Sequence, residues 1–146
     1  MRKAILVSIC IFIFIFALGY SFFTTKTIDA TESLTLDSIV VRYQRADTDA
    51  LRTKGLSGTQ YLANGEGMLF VYDEPTVPRF WMKDMNYAID IIWISSDKRV
   101  VGIEQNISPE TFPATFSPST PVQYVLEVPA GFVERNAIGR GVLMGI

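Results

Sequence analysis

The 146-residue sequence predicts a mostly β (α+β) domain, a compact curved or barrel-like sheet of about six to seven short strands with two short helices, preceded by one hydrophobic N-terminal helix. Three observations predict it. Short apolar runs rich in β-branched and aromatic residues recur between turn signals. Only two stretches, around Asp47–Lys54 and Pro129–Ala137, read as helical, and neither is long. The first 23 residues differ in kind from all that follows.

Met-Arg-Lys leads into AILVSICIFIFIFALGYSFF, Ala4 to Phe23, a run without a charged side chain. About twenty helical residues at about 1.5 Å each match the hydrocarbon thickness of a bilayer. Arg2 and Lys3 precede the run and Lys26 alone follows closely, so the basic bias keeps the N-terminus cytoplasmic and sends the remainder outside. Ala17-Leu18-Gly19 also offers small residues for signal-peptide cleavage. Two readings of residues 1–23 therefore stand: a transmembrane anchor, or a signal peptide. Both place the rest, anchored or secreted, on the extracytoplasmic side. Residues 24–37, opening TTKTIDATESLTL, read as a polar tether, and residues 38–146 as one globular domain.

Within that domain SIVVRY, Ser38 to Tyr43, is a strand by β-branched content. Asp47 then caps a short helix that runs to Lys54, with Gly55 as its stop. Asn64-Gly65 marks a turn before the strand GMLFVY, Gly67 to Tyr72. Pro75 and Pro78 mark the loop before FWMKDMNYAIDIIWI, Phe80 to Ile94. Its IDIIWIS portion is too continuously apolar for a one-sided strand and reads as central and buried. Asp97-Lys98 turns it into RVVGIEQ, Arg99 to Gln105, and QYVLEV, Gln123 to Val128, is another strand. PAGFVERNA makes a second short helix with Pro129 in its first position, and Val142 to Gly145 closes the chain as a strand. From Gln105 to Pro121 the chain carries a connection with four prolines and the rings of Phe112 and Phe116. That is either a pinned loop or a lid over a cleft.

Composition excludes several chemistries. The chain has no histidine, and its one cysteine, Cys10, lies in the apolar run. No Ser-His-Asp or Cys-His arrangement, no ordinary zinc site and no thiol redox pair can be assembled beyond residue 23. No glycine-rich phosphate cradle is present, and no acid cluster has calcium-loop spacing. No cofactor or metal is called for. Residues 24–146 carry 11 basic and 15 acidic side chains, a formal charge of −4, which does not suit nucleic acid.

The candidate site lies in and around the FWMKDMNYAIDIIWI segment. Asp90 opens a doubly covered strand, where it either bonds backbone N–H groups or serves as an acid or base on a pocket floor. Lys83 and Asp84 form a solvated turn or supply polar contacts, and Trp81 is a core plug or an apolar ligand wall. Glu66 sits between two glycines, as a turn residue or beside a closely approaching ligand. Arg52 and Arg79 are further cations for the same region.

The ordered pieces G-L-S-G (Gly55–Gly58), E-G-M-L-F-V-Y (Glu66–Tyr72), F-W-M-K-D-M (Phe80–Met85), I-D-I-I (Ile89–Ile92), V-V-G-I (Val100–Ile103), Y-V-L-E-V (Tyr124–Val128) and Ala130-Gly131 together resemble domain-of-unknown-function family 192. The resemblance spans about Ser38 to Ile146. It implies a compact, mostly β domain with a barrel-like sheet, behind a signal peptide or anchor, and implies no activity. Asp84-Met85 stand where the family has Asn-Thr, Ala88-Ile89-Asp90 where it has Pro-Leu-Asp, and Val142 follows Gly141 where it has an acid.

Three functions follow as expectations. The first is a membrane-tethered extracytoplasmic module that binds a small ligand, a glycan or an envelope protein through Trp81, Lys83, Asp84, Asp90, Glu66 and Arg52, with Phe112 and Phe116 as the lid. The second is an enzyme acting on an envelope polysaccharide with Asp90 and Glu66 as an acid–base pair. The third is a purely structural domain.

Overall fold

A computed structural model describes residues 28–146. The expected hydrophobic N-terminal helix and the cleavage signal fall on residues 1–23, outside the described residues. Among the described residues no helix is long and apolar enough to cross a membrane.

The mostly β expectation holds. Seven strands form one curled, half-barrel sheet in the order β6-β5-β8-β3-β2-β1-β9, and two more pair as a separate ribbon, β4-β7. In chain order these are β1 (Glu32–Leu36), β2 (Ile39–Ala46), β3 (Glu66–Thr76), β4 (Phe80–Trp81), β5 (Ile89–Ile94), β6 (Val100–Ile107), β7 (Thr115–Phe116), β8 (Val122–Pro129) and β9 (Met144–Gly145). Two short helices complete the fold, α1 (Asp49–Lys54) and α2 (Phe132–Arg135). β2 and β3 run parallel, joined by the crossover that contains α1, and the other sheet neighbours are antiparallel.

Both faces of the sheet are covered, so its central strands alternate between two cores. One holds Met68, Phe70, Ile89, Ile91, Trp93 and Val125 beneath Leu56, Leu62, Phe80 and Met82. The other holds Leu34, Leu36, Val41, Leu69, Ile92, Ile94, Leu126 and Val128 beneath Phe132 and Val133. β5 is buried along its whole length, as its continuous apolar run predicts. Gly67 is required by the backbone: a Cβ there would lie 2.8 Å from the Glu127 carbonyl oxygen on β8.

Three local expectations are corrected. The polar tether does not reach residue 37, because Glu32–Leu36 is a strand that pairs with β2 and β9. Leu34 and Leu36 alternate with Ser33 and Thr35, so a Thr-rich stretch still buries one face. Pro129 ends β8 instead of opening a helix; the helix begins after Gly131, whose φ of +75° is a conformation open to glycine. The cap of α1 is Thr48, which accepts from the Leu51 amide, and not Asp47. The connection from Gln105 to Pro121 is largely ordered. β6 runs into it as far as Ile107, and a single 3-10 turn at Pro109–Thr111 and β7 follow.

Asp90 fixes how these pieces meet. Ile89 opposes Ile107 and Ile91 opposes Glu104, so β6 carries Gln105 and Asn106 where β5 carries only Asp90. That is a β-bulge, and Asn106 adopts φ +54° within it. The fully buried Asp90 carboxylate accepts from the Asn106 amide at 2.8 Å, from Gly131 N–H at 3.3 Å and from Val133 N–H at 3.0 Å. One side chain therefore holds the bulge and the first turn of α2 together. Asp90→Ala should destabilise the domain by at least about 3 kcal/mol in urea unfolding, because each buried amide left without its acceptor costs about 1–3 kcal/mol. Asp90→Asn, which keeps one acceptor oxygen, should cost less. Losses below about 1 kcal/mol in both variants would show that the pin is dispensable.

Candidate functional site

The other side of the sheet has an opening. Alternation along β4 turns Phe80 inward, edge-on to Phe70 (4.8 Å between centroids) and Trp93 (5.5 Å), and leaves Trp81 49 % exposed. The chain after Trp81 is tied to the segment after α1. Ser57 Oγ donates to the Lys83 carbonyl, Gly58 N–H to the Asp84 carbonyl, and Asn86 Nδ2 to the Thr59 carbonyl. Between these tethers and the sheet lies a cavity of about 60 Å³, lined among others by Leu56, Phe70, Tyr72, Arg79, Trp81 and Glu127. An outer hollow of about 320 Å³ shares Arg52, Tyr72, Arg79 and Trp81 with it. The two read as an inner chamber and a vestibule.

Glu127 sits on the chamber floor. It lies on β8 opposite Met68 of β3 and Ile91 of β5, 5 % exposed, and among the described residues its Oε2 has no hydrogen-bond partner. Burial without compensation pushes its carboxyl up from 4.5 to about 8, so the group is protonated at neutral pH. Tyr72 and Tyr87 are also shifted upward, chiefly by burial and to a lesser degree by Glu127. The Tyr87 hydroxyl has a partner in Thr59, at 2.6 Å.

The two arginines at the mouth are in different states. Arg52 donates to the carbonyls of Asp47 and Val71, each at 2.8 Å, and pairs with Asp49 at 2.7 Å while its guanidinium lies 5.1 Å over the Tyr72 ring. Arg79 makes a single side-chain bond, 3.2 Å to the Thr115 hydroxyl, and among the described residues pairs with no carboxylate.

The structure brings together only some of the residues singled out from the sequence. Trp81 and Arg52 line the cavity. Lys83 and Asp84 form an exposed turn, with Asp84 at φ +56°, and contribute through their carbonyls. Asp90 faces the opposite core and is occupied by backbone amides. Glu66 shares the face of Met68 and Phe70 and is bonded to Arg42 at 2.6 Å. Glu66 and Asp90 are thus on opposite faces of the sheet, and an acid–base pair spanning one cleft cannot be made from them. Phe116 pairs with Phe80 in the β4-β7 ribbon, Phe112 is 45 % exposed, and neither lines the cavity. Among the described residues no group of three or more acidic or cysteine ligands could hold a metal ion.

The residue missed from the sequence is Glu127. Its signal was available: an acid in a run otherwise fit for burial, on the same side of the strand as Val125.

Fold and cavity together make this a curled, mostly β domain with an aromatic-rimmed hollow over a buried acid. The chain belongs to the DUF192 family, described as an uncharacterized ACR, whose profile matches residues 32–146. It is similar to a crystal structure of a protein of unknown function from Novosphingobium aromaticivorans DSM 12444, at 30 % identity and TM-score 0.75, covering 78 % of this chain and 84 % of that one. It is also similar to a protein described as a candidate transcription regulator from Sinorhizobium meliloti 1021, at 30 % identity and TM-score 0.71, covering 77 % and 88 % of the two chains. No curated protein matches.

The raised Glu127 carboxyl has a consequence for stability. Between about pH 4.5 and 8 the folded state holds a proton that the unfolded state has lost, so its contribution is full at the acid end and is lost as pH rises to about 8. Glu127→Gln should remove that decline. The urea-unfolding free energy of the variant relative to wild type should increase from pH 5 to pH 8 by on the order of a few kcal/mol. An unchanged difference would mean that Glu127 is solvated or paired.

Proposed function

We propose that this protein is an extracytoplasmic module, tethered by residues 4–23, that binds a small ligand in the cavity between Trp81 and Glu127. The observation that carries the reading is Glu127: a buried carboxyl that lines the inner chamber with one oxygen unpartnered among the described residues. Structural acids are normally bonded to donors, as Asp90 is, and a buried polar atom left unpartnered in a pocket is a usual recognition point. Trp81 supports the reading as a half-exposed apolar wall at the mouth. The membrane side of the proposal rests on the apolar run and the basic residues before it.

The description of the S. meliloti protein as a regulator gives no support to a nucleic-acid role here. Residues 24–146 carry 11 basic against 15 acidic groups, and the cavity is not a groove for a phosphate backbone. Among ligand classes a compact molecule fits better than a glycan chain, because the inner chamber is small and its floor group is single.

The test is a thermal-shift screen of the full chain in detergent against small polar compounds. A ligand present at about a hundred times its Kd should stabilise wild type by about 2.7 kcal/mol and Glu127→Gln much less. Trp81→Ala should weaken binding while changing the stability of the free protein by about 1 kcal/mol or less. Equal shifts in wild type and both variants would place binding elsewhere, and no shift with any compound would remove the ligand-binding reading.

A further inference from the structure

Resting on that reading, we infer that the ligand is a small zwitterion, its ammonium group held by Glu127 in the inner chamber and its acidic group held by Arg79 beside Trp81. The charges around the cavity lead to this class. Arg52 is already neutralised by Asp49 and spends two further N–H bonds on carbonyls. Lys54 and Arg79 also line the chamber, and among the described residues Arg79 has only its one side-chain bond to Thr115. The mouth is therefore cationic and the floor holds the one acid, with apolar walls from Leu56, Phe70, Phe80 and Met85 between them.

Each simpler ligand leaves one end of this arrangement unmet. A plain carboxylate or phosphate satisfies Arg79 and leaves Glu127 without a partner. A plain amine satisfies Glu127 but must sit behind uncompensated cations. A hydroxy acid satisfies both ends with a neutral bond at the floor, which is weaker than the charge-assisted bond that an ammonium makes with a carboxylate in a low-dielectric site. A molecule with an acid at one end and an ammonium at the other answers both, and in the orientation set by a buried acid and an outer arginine.

Proton accounting gives a distinctive readout. At pH 7 Glu127 holds its proton, having been pushed to about 8 by burial. Tyr72 on β3 and Tyr87 ahead of β5 are near enough to feel Glu127, and Arg52 and Lys54 on α1 and Arg79 ahead of β4 line the same chamber. The tyrosines, shifted upward chiefly by burial, stay neutral. An arriving ammonium favours the carboxylate, so the Glu127 proton leaves to the buffer as the ion pair forms.

The experiment is titration calorimetry of the full chain in detergent at pH 7, in two buffers of different ionisation enthalpy. The probes are β-alanine, γ-aminobutyrate and ε-aminocaproate, each against its matched hydroxy acid, simple carboxylate and simple amine. At least one amino acid should bind roughly tenfold or more tighter than its matched counterparts, the range of one charge-assisted bond. Its binding should release up to about one proton. Glu127→Gln should abolish the proton release and reduce affinity to that of the simple carboxylate. Arg79→Gln, at a residue with a single weak contact, should reduce it to that of the simple amine. Equal affinity for the hydroxy acid or carboxylate, or binding without proton release in wild type, would overturn the inference. So would a screen in which only non-zwitterionic compounds bind through Glu127, and that result would leave the ligand-binding reading intact. Failure of every compound in both experiments would remove both.

Discussion

A single buried carboxylate joins three parts of the chain that are far apart in sequence. Asp90 is the second residue of β5, Asn106 lies in the bulge of β6, and Gly131 and Val133 flank the start of α2, and all are tied through the same two oxygens. A carboxyl group in an apolar interior is costly unless its oxygens are hydrogen-bonded, and here three backbone amides bond them. The gain is geometric. The bulge lets β6 bend with the curl of the sheet, and the turn after β8 brings Phe132 and Val133 down as the lid of one core.

Glu127 lies on the neighbouring strand and is buried almost as completely, yet it receives no such partners. The two acids project to opposite faces of the sheet and are treated in opposite ways. One is satisfied by the backbone and belongs to the architecture. The other is kept protonated by desolvation, in a chamber walled by Phe70 and Tyr72 of β3, by the end of α1 and the segment after it, and by β4. Scaffold and site are thus separated by the thickness of one sheet.

Much of the scaffold was legible in the sequence because its signals are strong and local. The continuous run of Ile89–Ile94 gave a doubly buried strand, Asn64-Gly65 gave a turn, and Gly55 gave a helix end, where it stands with φ +48°. The misread elements lacked such signals or carried two. Threonines masked the alternation of β1, and Pro129 is compatible with both a strand end and a helix start. At the site, Trp81 and Arg52 were recognisable as an aromatic and a cation in the right region. Asp90 drew attention because it is an acid in an apolar run, and that same criterion applies to Glu127 three strands of text later. What distinguishes them is which face has backbone donors waiting, and only the folded chain decides that.

The sheet's two outer strands also meet. Met144 N–H donates to the Lys98 carbonyl, Val100 N–H to the Val142 carbonyl, and Arg99 bridges to Leu143, so β9 seals against the beginning of β6 at one end of the half-barrel. Residues 141–144 thus cover an edge that lies some forty residues earlier in the chain. Without that contact, both margins would offer unsatisfied backbone to any passing extended chain. A short stretch of backbone pairing therefore guards two sheet margins at once against intermolecular strand addition.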